Sequence, residues 1–344
     1  MKTMMRQAVM TSPGIIEFRN TEAPVPGAGQ VLLRIQRIGI CGSDMHVYHG
    51  KHPFTPYPVV QGHEFSAVVE ALGTGVSGIT VGSKVTATPQ EVCGICRPCR
   101  QGRYNVCEKL KVRGFQAPGV AQDLFVTEAD KIVHLPDHLT HDEGAFVEPV
   151  AVAAHSTGRA GDLKGRNVVV AGAGPIGNLA AQACRIRGAR RVLITDVSDY
   201  RLSVAQAVGI DVVSNARKEP FEAAVKRAFG DDGFDVAMDA AGVPASLSSL
   251  VSRIDKGGRI VILAVFSAPP PVDMSVLCEH ELTVCGTMMY RHEDYRQAVE
   301  WIASGAIQLK PLLSKHFPFE QFLDAYHYID AEGEKTMKVM MDLV

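Results

Sequence analysis

The run Gly172-Ala173-Gly174-Pro175-Ile176-Gly177 follows the apolar stretch Asn167-Val168-Val169-Val170 and opens a segment of helical spacing, Ile176 to Arg187. No other stretch constrains the fold as strongly. Gly172 permits a tight turn, Gly174 admits a pyrophosphate against the backbone, and Gly177 lets a helix pack closely on a strand. The amino terminus of a helix that begins at Pro175 and Ile176 then meets phosphate charge. The same rhythm of strand, turn and helix recurs, with strands expected at 168–171, 191–195, 211–214, 234–238, 259–265 and 282–286. Six strands with helices between them predict an α/β domain with a doubly wound parallel sheet that binds a dinucleotide.

Asp196 ends the second of these strands, nineteen residues after Gly177. A carboxylate there accepts hydrogen bonds from the adenosine ribose hydroxyls and repels a 2′-phosphate, which points to NAD rather than NADP. The plainer alternative is a turn aspartate. Arg201 is placed to approach the adenosine, or equally to lie solvated on a helix face.

With 344 residues the chain exceeds what one hydrophobic core organises, so two domains are expected. Val31 to Ile35, Phe65 to Val69 and Lys84 to Ala87 read as short strands among Gly and Pro clusters, which makes residues 1–148 a β-rich, barrel-like domain. Residues 149–286 form the nucleotide domain. Residues 287–344 resume a mixed pattern and rejoin the first domain, so the nucleotide domain is an insertion. A net charge of −2 gives no overall attraction to nucleic acid or to anionic lipid, and neither partner is expected. The charge-free run Asn167 to Cys184 is broken by three glycines and a proline, which suits a strand and helix better than a membrane span. Met1 to Met10 carries Lys2 and Arg6 without the apolar run of a secretion signal, so a cytoplasmic location is expected.

Four of the eight cysteines form Cys93-x2-Cys96-x2-Cys99-x7-Cys107. These thiolates can surround one Zn²⁺ with no position left open, the pattern of a structural site. Pro89, Gly94, Pro98 and Gly102 punctuate the segment, so the metal would order it. Cys184, Cys278 and Cys285 read as small buried thiols.

A second metal centre is expected from Gly39-Ile40-Cys41-Gly42-Ser43-Asp44-Met45-His46 and Gly62-His63-Glu64. A catalytic zinc needs about three protein ligands and an open position, and Cys41, His63 and Glu64 supply them, with Glu148 of Val147-Glu148-Pro149 as a further candidate. Zn²⁺ with one thiolate and one carboxylate is neutral, and a second carboxylate makes it negative. Since the metal must acidify a substrate hydroxyl, Glu64 and Glu148 are not expected to ligate together in the reactive complex. Asp44 is set either to accept the other ring N–H of His63 or to cap a turn. The spacing of Ser43 and His46 after Cys41 can align a hydroxyl and an imidazole as a proton relay.

Together these motifs resemble the zinc-dependent medium-chain dehydrogenase/reductase family, in particular its sorbitol (polyol) dehydrogenase-like branch, over essentially the whole chain. The resemblance implies a catalytic domain like a chaperonin-10 barrel, an inserted Rossmann domain, NAD with two zincs per subunit, and a homodimer or homotetramer. It implies that Cys41 and His63 hold the catalytic zinc, completed by Glu64 and Glu148, and that Ser43 and His46 carry the proton of a secondary alcohol whose hydride passes to NAD⁺. Glu148 stands where simple alcohol dehydrogenases have a cysteine, which favours polyol-type relatives. Thr88-Pro89-Gln90 replaces a histidine usual in threonine dehydrogenases, and Met288-Met289 precedes Tyr290-Arg291 where sorbitol dehydrogenases often place Arg-Tyr.

The expected substrate is therefore a polyol, a sugar acid or another sugar derivative, with a threonine or 2,3-butanediol-type dehydrogenase as the alternative. A non-catalytic zinc and nucleotide-binding protein is the reading from another class. Tyr48, Phe54, Phe115 and Tyr290 are candidate pocket residues. His49, Lys51 and His52 form a basic segment suited to an acidic substrate.

Overall fold

The computed structural model describes residues 4–210 and 212–344. It divides into two compact units, Met1–Glu148 with Arg291–Ala303 and Leu313–Val344, and Pro149–Tyr290 with Ser304–Leu312.

The second unit holds a six-stranded sheet in the order Val212–Asn215, Arg191–Asp196, Asn167–Ala171, Val236–Asp239, Arg259–Ile262 and Thr283–Gly286, every neighbouring pair parallel. Strand order reverses beside Asn167–Ala171, whose five residues are all buried, as a central strand covered on both faces requires. Such a reversal creates the crevice at the carboxyl ends of the strands where nucleotides bind. Some strand ends differ from expectation. The strand expected to reach Val265 stops at Ile262, because the N–H groups of Leu263 and Ala264 both donate to Asp239 O, and Val265 is 89% exposed. The strand expected from Phe234 starts at Val236, while Phe234 packs into the core against Phe221 and Phe229. Asp211, expected to begin another strand, lies outside the described residues, and that strand runs Val212–Asn215.

In the first unit, the eleven-residue strand Gln30–Ile40 organises a seven-stranded sheet. It pairs antiparallel with Glu64–Leu72, Leu124–Glu128 and Lys338–Asp342. Leu33, Ile35 and Ile38 from this strand join Phe65, Val85, Phe319 and Met341 in the core. At the end of the strand Gly39 pairs with Glu64 on one side and Met340 on the other. Sheet register alone thus brings Cys41, Glu64 and the segment around Lys338 into one neighbourhood.

All eight cysteines are free thiols. Cys184 is buried, and burial pushes its thiol up to about 12. Cys278 contradicts the buried-thiol expectation, since it is exposed on the short helix Met274–Glu279, which buries none of its residues. Among the described residues no helix is long and apolar enough to cross a membrane.

Candidate active site

Cys41 caps the helix Gly42–Tyr48, and His63 immediately precedes Glu64, the first residue of the strand Glu64–Leu72. One ligand atom from each of Cys41, His63 and Glu64 lies within 4.8 Å of the others. A thiolate, an imidazole and a carboxylate at this spacing fit a single Zn²⁺ with a position open for substrate. Glu148, in the first turn of the helix Val147–Arg159, is buried and near enough for its charge to act on His63 and Lys338. It stands outside the group of three.

Asp44 caps the turn and pairs by charge, beyond hydrogen-bond distance, with His63. Its Oδ2 accepts the Cys41 N–H at 2.9 Å, closing the turn, while Oδ1 faces His63 Nδ1 at 3.6 Å. One carboxylate therefore orders two metal ligands, and with Nδ1 turned to Asp44 the other ring nitrogen of His63 is left for the metal. Burial pulls the His63 imidazole down, but Asp44, the Cys41 thiol and Glu148 reverse this and hold it well above its usual range. Such an anionic surround draws a cation, whether a proton or Zn²⁺.

Lys338 was not expected here. Its Nζ donates to Glu64 Oε1 at 2.8 Å, to Oε2 at 2.5 Å and to Ile40 O at 3.1 Å. Lys338 is 3% exposed and Glu64 1%. Gly39 makes room for the pair, since a Cβ there would overlap Glu64 Oε2 and come within 3.4 Å of Lys338 Cδ. The ammonium adds a positive charge beside the ligands: Lys338, Zn²⁺, one thiolate and both carboxylates sum to neutral before Asp44 is counted.

Ser43 and His46 are three residues apart on the same short helix and so share a face. Ser43 is half-buried and His46 exposed, as a path from site to solvent requires. Phe115 is buried and stacks on His63 at 5.0 Å between ring centres, and His52 stacks on Phe115 at 4.9 Å. His52 Nδ1 lies 2.7 Å from Thr55 Oγ1. Of the basic segment, His49 is engaged by Asp330 at 2.9 Å and Lys51 is exposed. Phe54 is also exposed, Tyr48 packs on Tyr326, and Tyr290 is fully buried in the second unit.

Cys93, Cys96, Cys99 and Cys107 also converge within 4.8 Å. Backbone N–H groups of Cys96, Cys93 and Lys109 donate to the sulfurs of Cys93, Cys107 and Cys107. Hydrogen bonds from Ile95 and Cys96 draw the Cys93 thiol down to about 6, whereas burial and the neighbouring thiols push Cys99 up to about 12. Four sulfurs so close, with N–H donors aimed at them, fit a closed tetrahedral zinc.

In the second unit Gly172 and Gly177 stand where a side chain does not fit. Gly172 has φ +93°, and a Cβ there would lie 2.8 Å from Ala241 N. A Cβ on Gly177 would overlap Gly172 O. A Cβ on Gly174 would instead project into open space, with Arg201 Nη1 nearest at 4.0 Å, a cradle that fits a pyrophosphate at the start of the helix Pro175–Ile186. Asp196 accepts N–H groups from Ala173 at 2.6 Å and Ser198 at 2.8 Å. Its carboxylate ties the glycine turn to the end of the second strand.

Residues 27–137 match the family model for the alcohol dehydrogenase GroES-like domain, and residues 175–304 match that for zinc-binding dehydrogenases. The chain is 36% identical, over 93% of both chains, to the 2-dehydro-3-deoxy-L-galactonate 5-dehydrogenase of Pseudoalteromonas atlantica. It is 34% identical to the L-threonine 3-dehydrogenase of Deinococcus deserti, over 89% of this chain and 90% of that one. A solved structure described as a zinc-binding dehydrogenase of Sinorhizobium meliloti, bound to NADP, superposes with a TM-score of 0.92 at 28% identity, covering 99% of this chain and 100% of the other.

Proposed function

This chain belongs to the zinc-dependent medium-chain dehydrogenase family, and on that premise we propose that it oxidises a secondary hydroxyl of a sugar acid or polyol with NAD⁺. It is a dehydrogenase acting on CH–OH groups. The observation that carries the proposal is the convergence of Cys41, His63 and Glu64 at the start of the helix that bears Ser43 and His46.

Cys41, His63 and Glu64, with Glu148 near them, hold the catalytic Zn²⁺, and Cys93, Cys96, Cys99 and Cys107 hold the structural one. When bound, the catalytic zinc acidifies the substrate hydroxyl and NAD⁺ accepts the hydride. Asp44 and Lys338 orient His63 and Glu64. Ser43 takes the hydroxyl proton, and His46 passes it to solvent. Phe115 and His52 form a wall leading away from His63. Burial, together with the charge of His46, lowers His52, so at neutral pH its ring reads substrate through hydrogen bonds.

Met1–Glu148, Arg291–Ala303 and Leu313–Val344 supply the catalytic part, and Pro149–Tyr290 with Ser304–Leu312 supplies the cofactor part. There Gly172, Gly174, Pro175, Ile176 and Gly177 form the phosphate turn, Asp196 binds the ribose hydroxyls and Arg201 flanks the turn. A homodimer or homotetramer in the cytoplasm is the proposed state. Thr283–Gly286, at the edge of the parallel sheet with Val284 exposed, offers a strand for self-pairing.

Similarity to the 2-dehydro-3-deoxy-L-galactonate 5-dehydrogenase, at 36% identity, supports a sugar acid as the first substrate class to try. NADH formation measured across sugar acids, polyols, sugar phosphates, 2,3-butanediol and threonine is expected to give the highest kcat/KM with a sugar acid. Neutral polyols outperforming every acidic analogue would remove the acid from the proposal. Absence of turnover with two zincs bound would favour a binding protein.

Asp196→Ala tests the cofactor assignment. It removes two backbone contacts together with the proposed ribose contact, so the Kd for NADH should rise about 10- to 100-fold, at about 1.5–3 kcal/mol per hydrogen bond to a charged group. Binding of NADPH, measured by the same fluorescence titration, should improve relative to NADH. An unchanged ratio of the two would remove Asp196 as the discriminator.

A further inference from the structure

Behind the His63 ligand lies a chain of buried polar groups that the reaction does not itself require. Gln61 Nε2 donates toward Asp44 O at 3.3 Å and Asp44 Oδ1 at 3.4 Å. Gln61 Oε1 accepts the hydroxyl of Tyr326 at 2.8 Å. Gln61 is 2% exposed, Tyr326 1% and Asp44 1%. Tyr326 comes from the helix Phe322–Glu332 and is wedged between Tyr48 and Phe322, with ring centres 5.0 and 5.8 Å away.

The polarity of this chain has one consistent assignment. Asp44 presents two acceptors to Gln61, its Oδ1 and its backbone carbonyl, so the amide turns its nitrogen toward them. That leaves Oε1 toward Tyr326, whose hydroxyl must donate. The phenol keeps the proton that it donates, because burial first, then the charges of Asp44 and Cys41, hold it well above its usual range. If Tyr326 did not donate, the Gln61 oxygen would be buried without a partner, and a flipped amide would set oxygen against carboxylate. An apolar pair would fill the same space without that constraint.

We propose that Tyr326 and Gln61 are positioning residues that lock the Asp44 carboxylate against His63 Nδ1, so that the remaining ring nitrogen stays aimed at the metal. The inference rests on the assignment of a catalytic zinc to Cys41 and His63. The order of action is fixed: Tyr326 sets Gln61, Gln61 sets Asp44, and Asp44 sets His63. Tyr326 acts on the metal only through Gln61.

Zinc affinity of the purified holoenzyme, measured by competition with a chromogenic chelator and zinc content, tests this without recourse to turnover. Loss of a group that orients a ligand typically weakens metal binding about 10- to 100-fold. One or two steps further back, Gln61→Leu should weaken the more labile zinc about tenfold and Tyr326→Phe about threefold. The double variant should match Gln61→Leu, because Tyr326 has nothing to act on once Gln61 is gone. Tyr326→Phe removes one oxygen and keeps the ring packing, so it separates positioning from folding. Zinc affinity unchanged in both single variants, or losses that multiply in the double variant, would overturn the relay while leaving the zinc assignment intact. A wild-type enzyme that holds only the four-cysteine zinc would overturn both.

Discussion

Lys338→Met is expected to destabilise the protein by about 3–5 kcal/mol, the usual cost of leaving one partner of a buried ion pair alone. The pair is 3% and 1% exposed, and the lysine touches both oxygens of Glu64. A methionine fills the volume of the lysine stem, so lost packing contributes little. Catalysis should suffer independently. Without the ammonium the metal neighbourhood carries one more negative charge, which makes a substrate hydroxyl harder to ionise. The rise of kcat/KM with pH should therefore move to higher pH. Lys338→Arg keeps the charge and should show the smaller shift of the two. Urea unfolding measures the first effect and a pH–rate profile the second. Wild-type stability with an unmoved profile would mean that Lys338 neither balances nor holds Glu64.

Gly177→Val should abolish cofactor binding, with the Kd for NADH rising at least about 100-fold. The added Cβ would overlap Gly172 O and reach Ala240 Cβ at 3.5 Å, so the helix Pro175–Ile186 would have to lift from the turn that it completes. Gly174→Val is the informative partner. Its Cβ meets no neighbour closer than Arg201 at 4.0 Å, so the fold should keep its Tm while the valine occupies the phosphate space. Fluorescence titration with NADH, thermal unfolding and zinc content distinguish the two. Both variants should retain zinc, because its ligands belong to the other unit. Near-normal NADH binding by Gly174→Val would displace the phosphate from this turn.

Local patterns were legible in the sequence and long-range partners were not. The glycine turn, the four-cysteine lobe and the trio Cys41, His63 and Glu64 each announce themselves within a few residues, because ligand spacing and backbone constraint are local properties. Lys338 contributes 274 residues after Glu64. Its signal was a lone lysine inside Met337-Lys338-Val339-Met340-Met341, an apolar run in which a buried charge requires a partner. Tyr326 and Gln61, 265 residues apart, were hidden in the same way. Of the basic segment, His49 shows the same limit of local reading: it looks available in sequence, yet Asp330 arrives from a distant helix to engage it. Strand ends were misread where apolar residues such as Val265 continue past the last ladder hydrogen bond.

The position of the strand Lys338–Asp342 against Arg37–Ile40 has a consequence for biosynthesis. Translation delivers Cys41, His63 and Glu64 early, and Lys338, which pairs with Glu64, only 274 residues after it. Throughout that interval the end of the strand Gln30–Ile40 presents bare amides and carbonyls, an invitation to foreign pairing, while Glu64 has no counter-ion. The emerging amino-terminal half is thus the species most exposed to mispairing.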